Sequence, residues 1–137
     1  MKQRFTWKKA EKLKSRKRIE RVFREGKSFS LFPYRVIFLL QPGAVSDATA
    51  LRSDWASLQA GFGASSRHFK RAVDRNRIKR LGREAYRLQK GPLLQRLTDK
   101  GLSLAVFFIY TGKELPEYAT VTEKIGVILQ KLIKEIA

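Results

Sequence analysis

The stretch LSLAVFFIY, residues 102 to 110, is a nearly continuous apolar run. A strand with one face in water alternates apolar and polar side chains, whereas a strand covered on both faces is apolar at successive positions. The pattern therefore predicts a central strand packed on both faces. It also makes residues 102 to 110 the best candidate for the core.

Helical patterns lie on both sides of this strand. Upstream, a long helix is predicted from about Phe69 to Gln89, ended by Gly91 and Pro92, and a polar linker then leads to the strand. Downstream, a capping-box spacing opens a helix that carries one apolar stripe and is expected to pack on the sheet. The apolar residues of that stripe are Val121, Ile125, Ile128, Leu129, Leu132, Ile133 and Ile136.

The first part of the chain predicts another helix and two more strands. Ile19 and Phe23 have helical spacing between a possible N-cap at Ser15 and a stop at Gly26. Residues 32 to 41, FPYRVIFLLQ, read as a strand because they are aromatic and β-branched, and a second strand is expected within residues 55 to 65. The side chains on one face of the first strand are Tyr34, Val36, Phe38 and Leu40.

The element order α-β-β-α-β-α predicts an α+β fold, a two-layer sandwich with helices on a small mixed sheet. Residues 15 to 137 are expected to form a single domain. Residues 1 to 14, MKQRFTWKKAEKLK, read as a basic and partly ordered N-terminal arm.

Charge is the dominant feature of the composition. The chain has 30 Lys and Arg against 12 Asp and Glu, a net charge of +18, and this excess predicts a polyanionic partner. No apolar run approaches the roughly 20 residues that span a bilayer, and no secretory segment is recognisable, so a cytoplasmic protein is expected. With no Cys and a single His, His68, a zinc site is effectively excluded.

The predicted helix before the central strand contains DRNRIKRLGREAYR, residues 74 to 87. On a helical wheel four apolar residues fall in one arc that should face the sheet: Ile78, Leu81, Ala85 and Leu88. The opposite side collects cations and an amide: Arg75, Asn76, Lys79, Arg80, Arg83 and Arg87. Arg77 lies near the boundary between the two. Like charges at i,i+4 spacing repel by a few tenths of a kcal/mol each, so this row favours phosphate binding over a solvated helix face.

The basic surface continues upstream of this helix in SSRHFKR, residues 65 to 71. Arg67, Lys70 and Arg71 lie close to the predicted helix start, where free backbone N–H groups also favour an anion. The sequence thus predicts one phosphate-binding surface that extends around the helix N-terminus. His68 is expected to be a surface residue because no carboxylate or Cys partner stands at usable spacing.

Three segments resemble the protein subunit of bacterial ribonuclease P. RAVDRNRIKRLGREAYR, residues 71 to 87, is similar to the family's RNA-binding helix, and GFGASSR, residues 61 to 67, is a weaker match to the strand end before it. IERVFREG, residues 19 to 26, has its counterpart in the helix before the first strand. The chain departs from the family at Ile19, where many members carry Phe, and at Ser66, where Lys is usual.

The resemblance implies a ribonucleoprotein endoribonuclease that removes the 5′ leader of precursor tRNA, with Mg²⁺ and the catalytic chemistry in the RNA subunit. It implies no catalytic or metal-binding residue in the protein, no cofactor bound by the protein alone, no membrane and no small-molecule substrate. It also implies a left-handed βαβ crossover through the motif helix. The residues implied to bind the catalytic RNA are Arg67, Lys70, Arg71, Arg75, Asn76, Arg77, Lys79, Arg80 and Arg83. Those implied to bind the leader, in a cleft between the first helix and the sheet, are Ile19, Phe23 and Phe38.

Other functions remain open on the residues alone. A ribosomal-type or other RNA-binding protein without a role in cleavage would carry the same basic helix. A nuclease acting alone needs paired carboxylates around Mg²⁺, which the motif helix lacks, and a peripheral membrane protein needs an apolar insertion face beyond the core stripe. Phe23 and Phe38 could equally be core residues, since aromatics on amphipathic elements are usually buried.

Overall fold

The structure is a computed structural model that describes residues 12–13, 16–42 and 58–136. The expected N-terminal arm, apart from Lys12 and Leu13, therefore lies outside the described residues, as does nearly all of the predicted connection from 42 to 54.

In the described part of the chain, four strands form one mixed sheet: β1 (Lys27–Leu31), β2 (Tyr34–Pro42), β3 (Leu58–Ala64) and β4 (Leu102–Tyr110). Their order across the sheet is β1-β2-β4-β3. β4 pairs antiparallel with β2 and parallel with β3, so it is an interior strand as predicted. β1 pairs antiparallel with β2 at one edge, and β3 is the opposite edge.

Within the described residues, four helices accompany the sheet: α1 (Arg16–Glu25), α2 (Ala72–Gln89), α3 (Gly91–Lys100) and α4 (Tyr118–Ile136). The predicted order is confirmed for the elements it named, and β1 and α3 are additional. α3 replaces the expected polar linker. Its Pro92 is in the first turn, where a backbone N–H is not needed, and its buried Leu93 and Leu97 have i,i+4 spacing.

Both faces of β4 are covered, as its apolar sequence requires. On one face α2, α3 and α4 enclose the larger core, which includes the fully buried Val106 and Phe108. On the other face α1 packs through Val22 against Ile37, with Phe107 at the margin of this smaller cluster. The helices of the larger core form the second layer of the predicted sandwich, while α1 crosses the opposite side of the sheet.

The side chain of Arg18 ties α1 to the sheet by donating a hydrogen bond to the Gln59 side-chain oxygen. Just before α1, Lys12 forms a parallel bridge with Ala60, and the Leu13 amide donates to the Ala60 carbonyl at 2.9 Å. The chain thus meets the outer edge of β3 before it crosses the sheet.

β3 and β4 are parallel neighbours joined through α2 and α3, so the expected βαβ crossover is present. The hand of this crossover stays a prediction of the family resemblance. The crossover matters for function because it positions α2, which starts a few residues after the end of β3 and packs against that strand.

The apolar stripe of α2 is rotated from the expected arc. Ile78 and Ala85 are buried as predicted, but Leu88 is 43% exposed, and Tyr86 is fully buried in its place. Gly82 explains the rotation, since a Cβ on it would lie 2.9 Å from Phe62 Cδ2. The missing side chain lets the helix backbone approach the Phe62 ring, and this contact centres the buried stripe on Gly82.

We expect Gly82→Ala to lower the free energy of unfolding by about 1 kcal/mol, although alanine favours a helix by up to about 1 kcal/mol over glycine. The Phe62 ring stacks on Phe108 at 4.9 Å and cannot retreat without disturbing it, and such overpacking costs about 1–3 kcal/mol. Urea unfolding of the two proteins measures the difference.

Phe62→Leu is the matched background for this test, because the smaller side chain removes the ring that opposes the new methyl group. There Gly82→Ala should be neutral or stabilising. A Gly82→Ala protein that is more stable than wild type with Phe62 intact would contradict the packing argument.

Candidate nucleic-acid interface

The outer face of α2 carries the predicted cations on a helix whose other side is fixed in the core. Lys79 is half-buried. The exposed members are Asn76, Arg77, Arg80 and Arg83. The opposite side of the helix is buried at Ile78, Gly82 and Ala85, which lie between the exposed residues in sequence. The exposed side chains therefore project outward from a backbone that the core holds in place.

Arg75 behaves differently from its neighbours on the helix. Its Nη1 donates to the backbone carbonyl of Phe69 at 2.7 Å and to that of Lys70 at 2.8 Å. The guanidinium thus folds back from the first turn of α2 onto the chain that leads into the helix. The expectation that Arg75 is held outward like Arg83 is corrected by this geometry.

The row of like charges ends in an ion pair. Arg87 Nη2 lies 2.6 Å from Glu84 Oε1, three residues earlier on the same helix. The hydrogen bond from Arg87 lowers the pKa of the Glu84 carboxyl, which therefore stays ionised at neutral pH. Arg87 is consequently engaged on its own helix, whereas Arg80 and Arg83 project into solvent.

The connection between β3 and α2 presents three further cations. It is an ordered turn: the Phe69 amide donates to the Ser65 carbonyl at 3.1 Å, and the Arg67 amide donates to Ser65 Oγ at 3.2 Å. Phe69 is 6% exposed and its ring lies 6.0 Å from that of Tyr110, so it anchors the turn in the core. The exposed residues of the turn are Ser66, Arg67, His68, Lys70 and Arg71.

A second candidate surface lies beside α1. The Phe23 side chain is 45% exposed and meets the partly exposed Phe107 edge to face, with ring centroids 5.4 Å apart. Phe107 in turn lies across Gly61 and Gly63, where added Cβ atoms would come within 2.7 Å and 3.0 Å of its ring. Ile19 lines an open depression of about 430 Å³ together with Phe23, Glu20 and Arg24.

Phe38 does not belong to this surface. It is 5% exposed and lies on the other face of β2, in the larger core, 6.0 Å from the Phe29 ring. The expectation that Phe38 lines a cleft with α1 is corrected, because α1 packs against Ile37 on the opposite face of the strand. The alternation of side chains along β2 already separated these two faces in the sequence.

Phe107 is the aromatic residue that the sequence interpretation missed at this site. In an apolar strand with both faces covered, no polar neighbour marks which side chain reaches the surface. The two glycines of β3 were the available signal, since they permit a close approach, and Phe107 on the neighbouring strand makes that approach.

The described residues contain no group of three or more His, Cys, Asp or Glu side chains that could hold a metal ion. None of the helices in the described part of the chain is long and apolar enough to cross a membrane.

Known proteins resemble this chain in sequence. The family model described as Ribonuclease P matches residues 7–133. The Ribonuclease P protein component of Porphyromonas gingivalis is 37% identical over 113 residues, which cover 82% of this chain and 76% of that protein. The Ribonuclease P protein component of Chlorobium phaeobacteroides is 32% identical over 90 residues, 60% of this chain and 61% of the relative.

Solved structures share the fold. The RNase P protein of Staphylococcus aureus superposes with a TM-score of 0.63 at 18% identity, covering 90% of this chain and 95% of the other. The RNase P protein from Thermotoga maritima gives a TM-score of 0.63 at 24% identity, with 88% and 96% coverage. The family match along almost the whole chain, together with the 37% identity to a curated relative, shows that this chain belongs to the ribonuclease P protein family, the protein component of a ribonucleoprotein endoribonuclease that processes tRNA.

Proposed function

We propose that this protein binds the catalytic RNA of ribonuclease P through α2 and the turn before it, and binds the 5′ leader of precursor tRNA beside α1. The cleavage chemistry and its Mg²⁺ belong to the RNA subunit in this proposal. The observation that carries it is the set of outward cations on a helix whose opposite side is buried: Arg77, Lys79, Arg80 and Arg83.

Rigidity makes this surface suited to phosphates. A flexible basic segment loses conformational entropy when it is ordered on RNA, whereas α2 is already ordered by Ile78, Gly82 and Ala85 in the core. Arg80 and Arg83 can each offer a planar fork with two donors to phosphate oxygens. The mutual repulsion of the cations is relieved when the RNA backbone arrives, which favours the complex.

The surface beside α1 suits a single strand. Phe23 and Phe107 present aromatic faces on which bases can stack, and such stacking tolerates any sequence, as a variable leader requires. Arg35 is exposed on the same face of β2 and pairs with Ile109 on the neighbouring strand, so a cation for the backbone lies next to the aromatic pair. The proposed leader surface therefore consists of Ile19, Phe23, Phe107 and Arg35, without Phe38.

Reconstitution tests the proposal directly. We expect the protein to raise the rate of precursor-tRNA cleavage by a bacterial ribonuclease P RNA at low Mg²⁺, because its cations reduce the repulsion between two polyanions. Cleavage is followed with a 5′-labelled precursor, and RNA binding is measured in the same buffer. Binding without stimulation would favour the alternative, an RNA-binding protein with no role in cleavage.

Salt dependence tests the α2 surface. If about six phosphates are contacted, log affinity for the RNA should fall with log salt at a slope near −5, and Arg83→Ala should reduce the magnitude of the slope by about one. The control is Lys134→Ala, which removes the same charge from the last turn of α4 and should leave the slope unchanged. Equal effects of the two substitutions would point to bulk charge instead of contact at α2.

Leader binding is tested at Phe23. Phe23→Ala should weaken the affinity of the assembled enzyme for precursor tRNA by about tenfold, since base stacking on an aromatic contributes about 1–3 kcal/mol. The affinity for mature tRNA, which lacks the leader, should stay the same. Val127→Ala is the control, because Val127 is 47% exposed on α4, a helix of the larger core on the other side of the sheet. Equal loss for both tRNAs would exclude a leader contact at Phe23.

A further inference from the structure

We propose that Arg75 is a positioning residue: it holds the turn before α2 so that Lys70 and its neighbours meet the RNA in one fixed arrangement with α2. The inference rests on the proposed RNA binding, and it gives Arg75 a role different from that of the outward arginines. It predicts that the shape of the side chain matters at this position more than its charge.

The start of α2 has no side-chain cap, so other hydrogen bonds must hold the turn before it. Arg71 is the N-cap residue and makes no side-chain capping hydrogen bond. The Arg71 carbonyl accepts hydrogen bonds from two amides of the first turn, Asp74 N at 3.2 Å and Arg75 N at 3.3 Å. The two carbonyls before it, those of Phe69 and Lys70, therefore lie outside the helical hydrogen-bond ladder, and Arg75 Nη1 donates to both.

The turn is thereby fixed at three points. Its beginning is held by the bond from the Phe69 amide to the Ser65 carbonyl, and its middle by the Phe69 ring in the core near Tyr110. Arg75 holds its end through the Lys70 carbonyl. The exposed Lys70 side chain thus belongs to a residue whose backbone is tied to the first turn of α2, and its position relative to Arg80 is set before RNA binds.

Arginine and lysine differ in a way that separates positioning from direct phosphate binding. The lysine ammonium ends one bond short of the arginine Nη atoms, about 1.3 Å. Nη1 of Arg75 lies just at hydrogen-bond distance from the Phe69 and Lys70 carbonyls. A lysine in the same rotamer keeps the charge but is too short to bond to both carbonyls. A residue that binds phosphate by charge alone therefore tolerates lysine, whereas a residue that holds the turn through these two hydrogen bonds does not.

The first experiment measures the affinity of purified variants for a bacterial ribonuclease P RNA. Arg75→Lys and Arg75→Gln should weaken binding by similar factors, about tenfold. At Arg83, a proposed direct phosphate ligand, both substitutions should weaken binding, but Arg83→Lys should bind more tightly than Arg83→Gln because it keeps the charge while it loses the fork. Wild-type affinity of Arg75→Lys together with a loss in Arg75→Gln would overturn the proposal and make Arg75 a direct phosphate ligand. Failure of the wild-type protein to bind would instead overturn the proposed function.

A double-mutant cycle supplies a readout that general destabilisation does not move. Lys70→Ala should weaken RNA binding in the wild-type protein but have little further effect in the Arg75→Lys background, because the turn is already displaced. Arg80→Ala should cost the same factor in both backgrounds. Multiplicative losses for Lys70→Ala and Arg75→Lys, or equal coupling of Arg75 to Arg80, would overturn the positioning role.

Amide hydrogen exchange tests, in the absence of RNA, whether Arg75 holds the turn through its hydrogen bonds. In the free protein, exchange of the Phe69 amide should be faster in Arg75→Lys than in wild type and unchanged in Arg83→Lys, with the thermal unfolding temperatures of both variants close to that of wild type. Unchanged protection of Phe69 in Arg75→Lys would overturn the proposal whether or not the protein binds RNA.

Discussion

The contact between the backbone of Gly82 and the ring of Phe62 is the constraint on which the interface depends. It brings α2 close to β3, where Phe62 stacks on Phe108 and meets Tyr86 edge to face. These contacts fix both the distance of the helix from the sheet and its rotation about its own axis. With that rotation set, the outward direction of Arg80 and Arg83 follows from helical geometry. A glycine that weakens the helix locally thus determines which side chains face a partner.

The same packing keeps α2 folded although the protein has a net charge of +18. The larger core holds the backbone of α2, so its cations stay close together and repel each other. Each i,i+4 pair lowers the stability of the helix by only tenths of a kcal/mol, which is small compared with the stabilisation from the core. One such cation, Arg87, is compensated on the helix itself by Glu84.

The sequence allowed the fold to be predicted where hydrophobic periodicity is unambiguous. β4 was recognised as an interior strand because it is apolar at successive positions, and α4 because its stripe is long. α3 was missed since its Gly91–Pro92 start is also a normal end for α2, and only Leu93 and Leu97 mark the next helix. At the site, the helical wheel correctly predicted that Arg80 and Arg83 are exposed on α2. The same wheel gave the wrong orientation for the Arg75 side chain, because it gives only the direction of Cβ and takes no account of backbone carbonyls that a long side chain can reach.

The bridge between Lys12 and Ala60 has a consequence for the protein once RNA is bound. β3 is an outer strand, and its unpaired backbone groups would otherwise offer a template on which a strand of another copy could pair. In the free protein strong positive charge keeps copies apart, but a bound polyanion neutralises much of that charge. Residues 12 and 13 occupy part of this edge with the chain's own backbone, so protection against edge-to-edge aggregation persists when electrostatic repulsion has been removed.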